Sequence, residues 1–130
     1  LEILQTACER QAKKNGYIEL YTGRQLRPEP YGEHKLPNAL IQGTAAELMK
    51  RAILRVHTWM SMDDACLKSH MVATIHDEIM TDGPLEELSR LAIAIPPLMI
   101  EPMFHEVVPI VVEVEYSTET WADKKPWEAE

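Results

Sequence analysis

Met71-Val72-Ala73-Thr74-Ile75-His76-Asp77-Glu78-Ile79-Met80-Thr81 decides the fold: two apolar runs flank three polar residues. Met71–Ile75 and Ile79–Thr81 read as strands, and His76-Asp77-Glu78 as the polar turn of a hairpin over 71–81. Two carboxylates at the tip of such a hairpin make a compact site of hard oxygens. Mg²⁺ accepts such oxygens, and its sites often combine one or two carboxylates with substrate phosphates. The plain alternative is that Asp and Glu are good, soluble turn residues, and the pair alone favours it.

Working outward, the pattern before the hairpin is helical. From Asn38 to Met62 the apolar residues Ile41, Ala45, Leu48, Met49, Ala52, Val56, Trp59 and Met60 recur at three- and four-residue steps, which predicts a long helix over 38–62. Its opening, Gln42-Gly43-Thr44-Ala45-Ala46, is small-sided. Small residues let a neighbouring backbone or a nucleic-acid groove come close, and Gln42 carries a donor and an acceptor suited to minor-groove edges. Tight helix–sheet packing explains the same residues equally well.

Leu1–Asn15 reads as a helix with Lys13 and Lys14 in its last turn and Gly16 as its stop. Residues 16–37 read as a hairpin and a loop punctuated by Pro28, Pro30, Gly32 and Pro37. Pro84–Met99 is a weaker helix, disturbed by Pro96-Pro97. The stretch 107–116 is the best single strand, and Ser117–Glu130 a loop or tail. This order of elements predicts an α+β domain with antiparallel hairpins.

The chain has 130 residues, 45% apolar and 26% charged, enough to bury one core and too apolar for wholesale disorder. No apolar run reaches the ~18–20 residues that span a bilayer. The first residue, Leu1, follows no basic-then-apolar leader, so the expected compartment is the cytoplasm. Two cysteines, Cys8 and Cys66, exclude a disulfide-dense scaffold. The net charge of −8 divides unevenly. Residues 1–60 carry nine Lys/Arg against six Asp/Glu, and residues 61–130 four against fifteen. A basic half joined to an acidic half suits phosphate on one side and metal on the other, although a solvated acidic surface explains the charge as simply.

Other chemistries fit poorly. Cys66, His70 and His76 lack a fourth zinc ligand at a usual spacing. No G-x-S-x-G occurs, and five scattered glycines form no phosphate loop. Trp121 and Trp127 read as packing anchors.

Read together and in order, two of these motifs carry a resemblance. Asn38-x-x-x-Gln42-Gly43-Thr44-Ala45-Ala46 followed by Ile75-His76-Asp77-Glu78-Ile79 resembles the C-terminal palm of family A DNA polymerases, the bacterial polymerase I and phage replicative type. Gly16-Tyr17-Ile18-Glu19 with Thr22-Gly23-Arg24 is similar to the hairpin upstream. Val108-Pro109-Ile110-Val111-Val112-Glu113-Val114, with Trp121 after it, is similar to the family's last strand and closing tryptophan.

The resemblance implies an antiparallel palm-type sheet with the long helix packed on it, incomplete without an upstream part. It implies template-directed addition of a deoxynucleotide to a primer 3′ end, with Mg²⁺, primer–template DNA and a deoxynucleoside triphosphate as partners. Asp77 would be a catalytic metal ligand, Glu78 the supporting neighbouring carboxylate, and His76 a residue near the primer terminus. Gln42 would touch the minor groove, Arg24 would join a basic group on the DNA backbone, and Asn38 would lie in the polar layer under it. Between Arg24 and Asn38 the chain is shorter than in bacterial members, and a family arginine falls near His34 or Lys35. The family's first aspartate motif and its fingers helix have no counterpart in the residues before Gly16. The expected partner is therefore a complementary N-terminal fragment, or a second copy through an exposed edge of the 71–81 hairpin. The rival expectations are a non-catalytic remnant that binds nucleic acid or protein, and an unrelated metal-dependent hydrolase.

Overall fold

The computed structural model describes residues 2–30, 32–62, 66–100 and 109–128, which fold as helices and small antiparallel sheets in two units, 1–48 and 49–130. In the first unit, helix α1 (Glu2–Asn15) carries Glu2 in its first turn and Lys13 and Lys14 in its last, the signs its dipole favours. Gly16, at φ 77°, ends it by donating its N–H to the Ala12 carbonyl at 2.8 Å. Glycine takes this left-handed stop without the Cβ clash of other residues. Strands β1 (Ile18–Glu19) and β2 (Gln25–Leu26) pair antiparallel, Ile18 with Leu26 and Glu19 with Gln25.

Helix α2 (Leu36–Met60) follows a turn of 3₁₀ helix at Glu33–Lys35. Its first turns close the core made by Cys8, Ala12, Ile18, Leu20, Leu36 and Leu40, in which Ile18 is fully buried. Gly43 is the point of closest approach. A Cβ there would lie 3.1 Å and 3.2 Å from the two Leu20 methyls and 3.3 Å from a Leu26 methyl. Tight helix–hairpin packing thus accounts for this glycine, while Gln42 beside it is exposed. Ala52 and Val56 are buried as the expected stripe requires, but in the first turns the buried positions are displaced by one residue. Leu40 and Thr44 are buried, whereas Ile41 is 58% exposed and Ala45 is also exposed. The reason is local: Thr44 hides its polarity by donating its hydroxyl to the Leu40 carbonyl at 2.7 Å, so it can occupy an apolar site.

In the second unit, strands β3 (His70–Ile75) and β4 (Glu78–Asp82) form the hairpin. Ile75 pairs with Glu78, Thr74 with Ile79 and Ala73 with Met80; the register then shifts, and Met71 pairs with Thr81. Val72 is the extra residue of this bulge and is 58% exposed. A 3₁₀ turn at Leu85–Glu87 leads into helix α3 (Leu88–Met99), which buries Leu91 and Ala92. Pro96 and Pro97 lie inside α3 without ending it. Arg55 satisfies the carbonyls at its end, donating Nε to Leu98 O at 2.7 Å and Nη2 to Ile100 O at 3.5 Å.

The strand expected over 107–116 is cut to Glu115–Tyr116 (β5), which pairs with Lys125–Pro126 (β6). Residues 107 and 108 lie outside the described residues. From Pro109 to Tyr116 the exposure still alternates residue by residue, as a strand's does, but Pro109 has no N–H to donate and 109–114 form no ladder. The tail expected to be loop contains β6 and a 3₁₀ turn at Trp121–Asp123. The described residues form three two-stranded antiparallel ladders beside long helices, the α+β class expected.

The base of the β3–β4 hairpin is closed by two contacts. A Cβ on Gly83 would fall 1.9 Å from Ser69 Oγ and 2.6 Å from Ser69 Cα, so no side chain fits there. The same Ser69 donates its hydroxyl to Glu87 Oε2 at 2.6 Å and its backbone N–H at 3.0 Å, while the Lys68 N–H donates to Oε1 at 2.9 Å. The Ser69 hydroxyl above all, then the Lys68 N–H, hold the Glu87 carboxyl below the ordinary glutamate range. A group whose folded pKa is lowered contributes stability above its unfolded pKa and loses it as pH falls towards the folded value. Unfolding free energy should therefore decline on acidification through the glutamate range, about 4.3 in an unfolded chain. In Glu87→Gln that part of the decline should be absent; superimposable pH profiles for the two proteins would contradict the assignment.

Candidate functional site

Because Ile75 pairs with Glu78, the reversal between β3 and β4 has only two residues, His76 and Asp77. A two-residue reversal demands unusual backbone angles, normally supplied by Gly or Asn. Here His76 takes them, at φ 54°. The left-handed region costs a residue with a Cβ roughly 1–2 kcal/mol, and such strain concentrates at functional sites. His76 and Asp77 are both exposed at the tip. Among the described residues the Asp77 carboxylate makes no hydrogen bond or ion pair, so its oxygens face solvent ready to accept.

Glu78 differs from its neighbour. It is the first residue of β4 rather than part of the turn, and it is partly buried. Lys124 Nζ donates to Glu78 Oε1 at 3.0 Å and to Glu115 Oε2 at 2.9 Å. The ammonium also stands 4.9 Å from the centroid of the Trp121 ring, within cation–π range. Glu115, and after it Glu78, raise Lys124 above the ordinary lysine range. Trp121 is 52% exposed, so it serves as the face for this lysine and not as the packing anchor expected. Trp127, half-buried, donates its backbone N–H to the Val114 carbonyl at 2.9 Å.

In the first unit, Asn38 and Gln42 lie one turn apart on α2 and are both exposed. With exposed Ile41, Ala45 and Ala46 they make the face opposite the one that covers the core. Arg24 is engaged in a short ion pair with Glu47 of α2. Lys35, at the head of α2, stands 3.9 Å from Glu29 with both side chains well exposed, a contact of little consequence. Among the described residues no three His, Cys, Asp or Glu side chains converge to hold a metal, so the zinc set of Cys66, His70 and His76 does not assemble. The two hard-oxygen carboxylates at the tip fit part of a divalent-metal site and need further ligands. No described helix is long and apolar enough to cross a membrane.

Lys124, Glu115, Glu87 and Gly83 were not legible as working residues. Their partners lie from nine to 46 positions away in the chain, and none of them sits in a patterned motif. The Lys124-Lys125 pair in an otherwise acidic half is the one signal that could have singled out the tail.

A family model described as DNA polymerase family A matches residues 3–123. The chain is 27% identical over 125 residues to DNA polymerase I of Bacillus caldotenax, a match covering 88% of this chain and 14% of that protein. It is 36% identical over 93 residues to DNA polymerase I of Caldicellulosiruptor bescii, covering 72% of this chain and 10% of that one. The chain thus spans about one-seventh of the length of the curated relatives it matches. Among solved structures it is similar to the POL domain of Pol1 from M. smegmatis, in complex with DNA primer–template and dNTP. That likeness has a TM-score of 0.65 and 28% identity, over 73% of this chain and 18% of that one.

The strain at His76 has a measurable consequence. His76→Gly should unfold in denaturant with a free energy higher than that of His76→Ala by about 1 kcal/mol, because only glycine adopts the turn freely. An alanine variant as stable as the glycine variant would mean that the turn is not held in the left-handed region.

Proposed function

The chain belongs to DNA polymerase family A, and from that premise we propose that it forms the C-terminal palm part of a DNA-directed DNA polymerase, residues 1–130. The reaction is attack of the primer 3′-hydroxyl oxygen on the α-phosphorus of a deoxynucleoside triphosphate: a new P–O bond forms, the bond to pyrophosphate breaks, and the hydroxyl proton is released. The observation that carries this reading is the strained two-residue tip, which holds an exposed, unengaged Asp77 carboxylate beside His76.

Asp77 is the metal ligand in this reading, and Glu78 is the supporting carboxylate. A divalent metal, Mg²⁺ in the cell, supplies electrostatic stabilisation of the attacking and leaving oxygens. His76 positions the primer end. The exposed face of α2 lies along the primer–template, with Gln42 donating to and accepting from minor-groove base edges and Asn38 one turn away. Arg24 and Lys35 serve the DNA backbone, Arg24 by exchanging its Glu47 partner for phosphate. The reaction belongs to the cytoplasm, at the nucleoid or in a phage-infected cell.

Two adjacent carboxylates cannot flank two metals, so another carboxylate must come from outside these residues. A complementary fragment carrying the family's first aspartate and its fingers supplies it, docking on the hairpin where Val72 and Ile75 are exposed. The alternative, a remnant that binds nucleic acid without catalysis, predicts DNA binding but no extension in that assembled complex.

Primer extension by the assembled polymerase tests the roles separately. Asp77→Asn should remove nearly all activity, because it keeps the shape and loses the charge a hard cation needs; Glu78→Gln should cost much less. Small, equal losses in the two would favour a solvated turn with no metal. Gln42→Ala should lower extension at limiting primer–template roughly ten- to a hundredfold, the ~1–3 kcal/mol of a buried polar partner left unpaired. The helix itself survives, since alanine is the better helix former. Extension equal to the parent at limiting DNA would remove Gln42 from the interface.

A further inference from the structure

We propose that Lys124 is a positioning residue for the hairpin tip: it holds the Glu78 carboxylate on the tail and leaves Asp77 as the turn's carboxylate for metal. The inference rests on the reading of the tip as a metal site and deepens it by saying what Glu78 does. Adjacent carboxylates on one turn invite two outcomes, in which both take the cation or one is diverted. The structure favours diversion. Lys124 Nζ is shared between Glu78 Oε1 at 3.0 Å and Glu115 Oε2 at 2.9 Å, and lies 4.9 Å from the centre of the Trp121 ring.

That ammonium is itself fixed from three sides. Trp121 lies in the 3₁₀ turn immediately before it, and Lys124 is followed by β6, whose pairing with β5 fixes the backbone. Glu115 sits in β5, so one strand of that ladder supplies the carboxylate and the other is continuous with the lysine. Glu78, by contrast, is the first residue of β4, next to Asp77. The pair therefore ties the tail ladder to the tip at the position adjoining the proposed ligand. Glu78 is partly buried and engaged by Lys124, whereas Asp77, in the turn, is exposed and meets no partner among the described residues.

The test uses the chain itself, with Mn²⁺ as the probe, bound Mn²⁺ being measured by electron paramagnetic resonance. Glu78→Gln should leave Mn²⁺ affinity within about twofold of the parent, because that carboxylate is already committed. Lys124→Met should tighten Mn²⁺ binding about tenfold by releasing Glu78 to join Asp77. The gain should vanish in the Glu78→Gln, Lys124→Met double variant. Lys124→Arg should keep the parental value, and Lys125→Met, which removes the same charge one residue away, should reproduce only a minor part of the gain. Glu78→Gln weakening Mn²⁺ as much as Asp77→Asn does would overturn the proposal by making Glu78 a direct ligand, as would equal gains in Lys124→Met and Lys125→Met.

Amide hydrogen exchange separates this inference from the metal reading beneath it. In the metal-free chain the Glu78 and Ile75 amides should exchange about two- to fivefold faster in Lys124→Met than in the parent, and Lys124→Arg should restore protection. Unchanged exchange overturns the tie between tail and tip. Asp77→Asn binding Mn²⁺ as the parent does would instead overturn the metal reading and leave the tie to be judged on exchange alone.

Discussion

The pairing of Ile75 with Glu78 leaves the chain two residues in which to reverse, and the rest of the tip follows from that constraint. A loop this short requires left-handed backbone, which falls on His76. It puts Asp77 at the apex, where no other element covers it, and it makes Glu78 a strand residue that meets the tail. The chemistry assigned to the three residues differs because the register assigns them different surroundings, although all three are polar neighbours in sequence.

The hairpin that carries the tip is pinned at its other end by atoms, not by bulk. Gly83 passes so close to Ser69 that only hydrogen fits, and Glu87 gathers three donors from Lys68 and Ser69. None of the hairpin's apolar side chains is fully buried, and Val72 and Ile75 lie open to solvent. Positioning of the tip therefore rests on local hydrogen bonds, close approach and the Lys124 contact more than on a core. In the first unit the balance is reversed. Gly43 lets α2 settle on Leu20 and Leu26, and the buried cluster around Ile18 holds α1, the small hairpin and the helix together. The face of α2 left over, with Asn38 and Gln42, stays exposed.

Much of this was legible in the residues. The period of α1 and α2, the Gly16 stop and the apolar–polar–apolar run at 71–81 gave their elements to within a residue or two, because each is a local signal. The order of Gln42 and the His76-Asp77-Glu78 run carried the family resemblance, which the match over residues 3–123 bears out. What failed depended on partners. Val-rich 107–116 looked like the best strand, yet β-propensity measures fitness for a pleated neighbour, and the described part finds one only at Glu115–Tyr116. Thr44 took a core site from Ile41 through a hydrogen bond that periodicity does not register. Lys124 and Glu87 gained their roles from residues 46 and 18 to 19 positions away. No window along the sequence contains both ends of such contacts.

The central claim is that the Asp77 carboxylate binds the metal that serves nucleotidyl transfer. A change of ligand softness tests it most directly. In the assembled polymerase, Asp77→Cys exchanges a hard oxygen donor for a thiolate, which Mg²⁺ binds poorly and thiophilic cations such as Mn²⁺ or Cd²⁺ bind better. Primer extension should be nearly abolished in Mg²⁺ and partly restored by the softer ion, with no such preference in the parent. Extension in Mg²⁺ undiminished by the substitution would contradict the claim, and so would a loss that no cation reverses in a folded, DNA-binding variant.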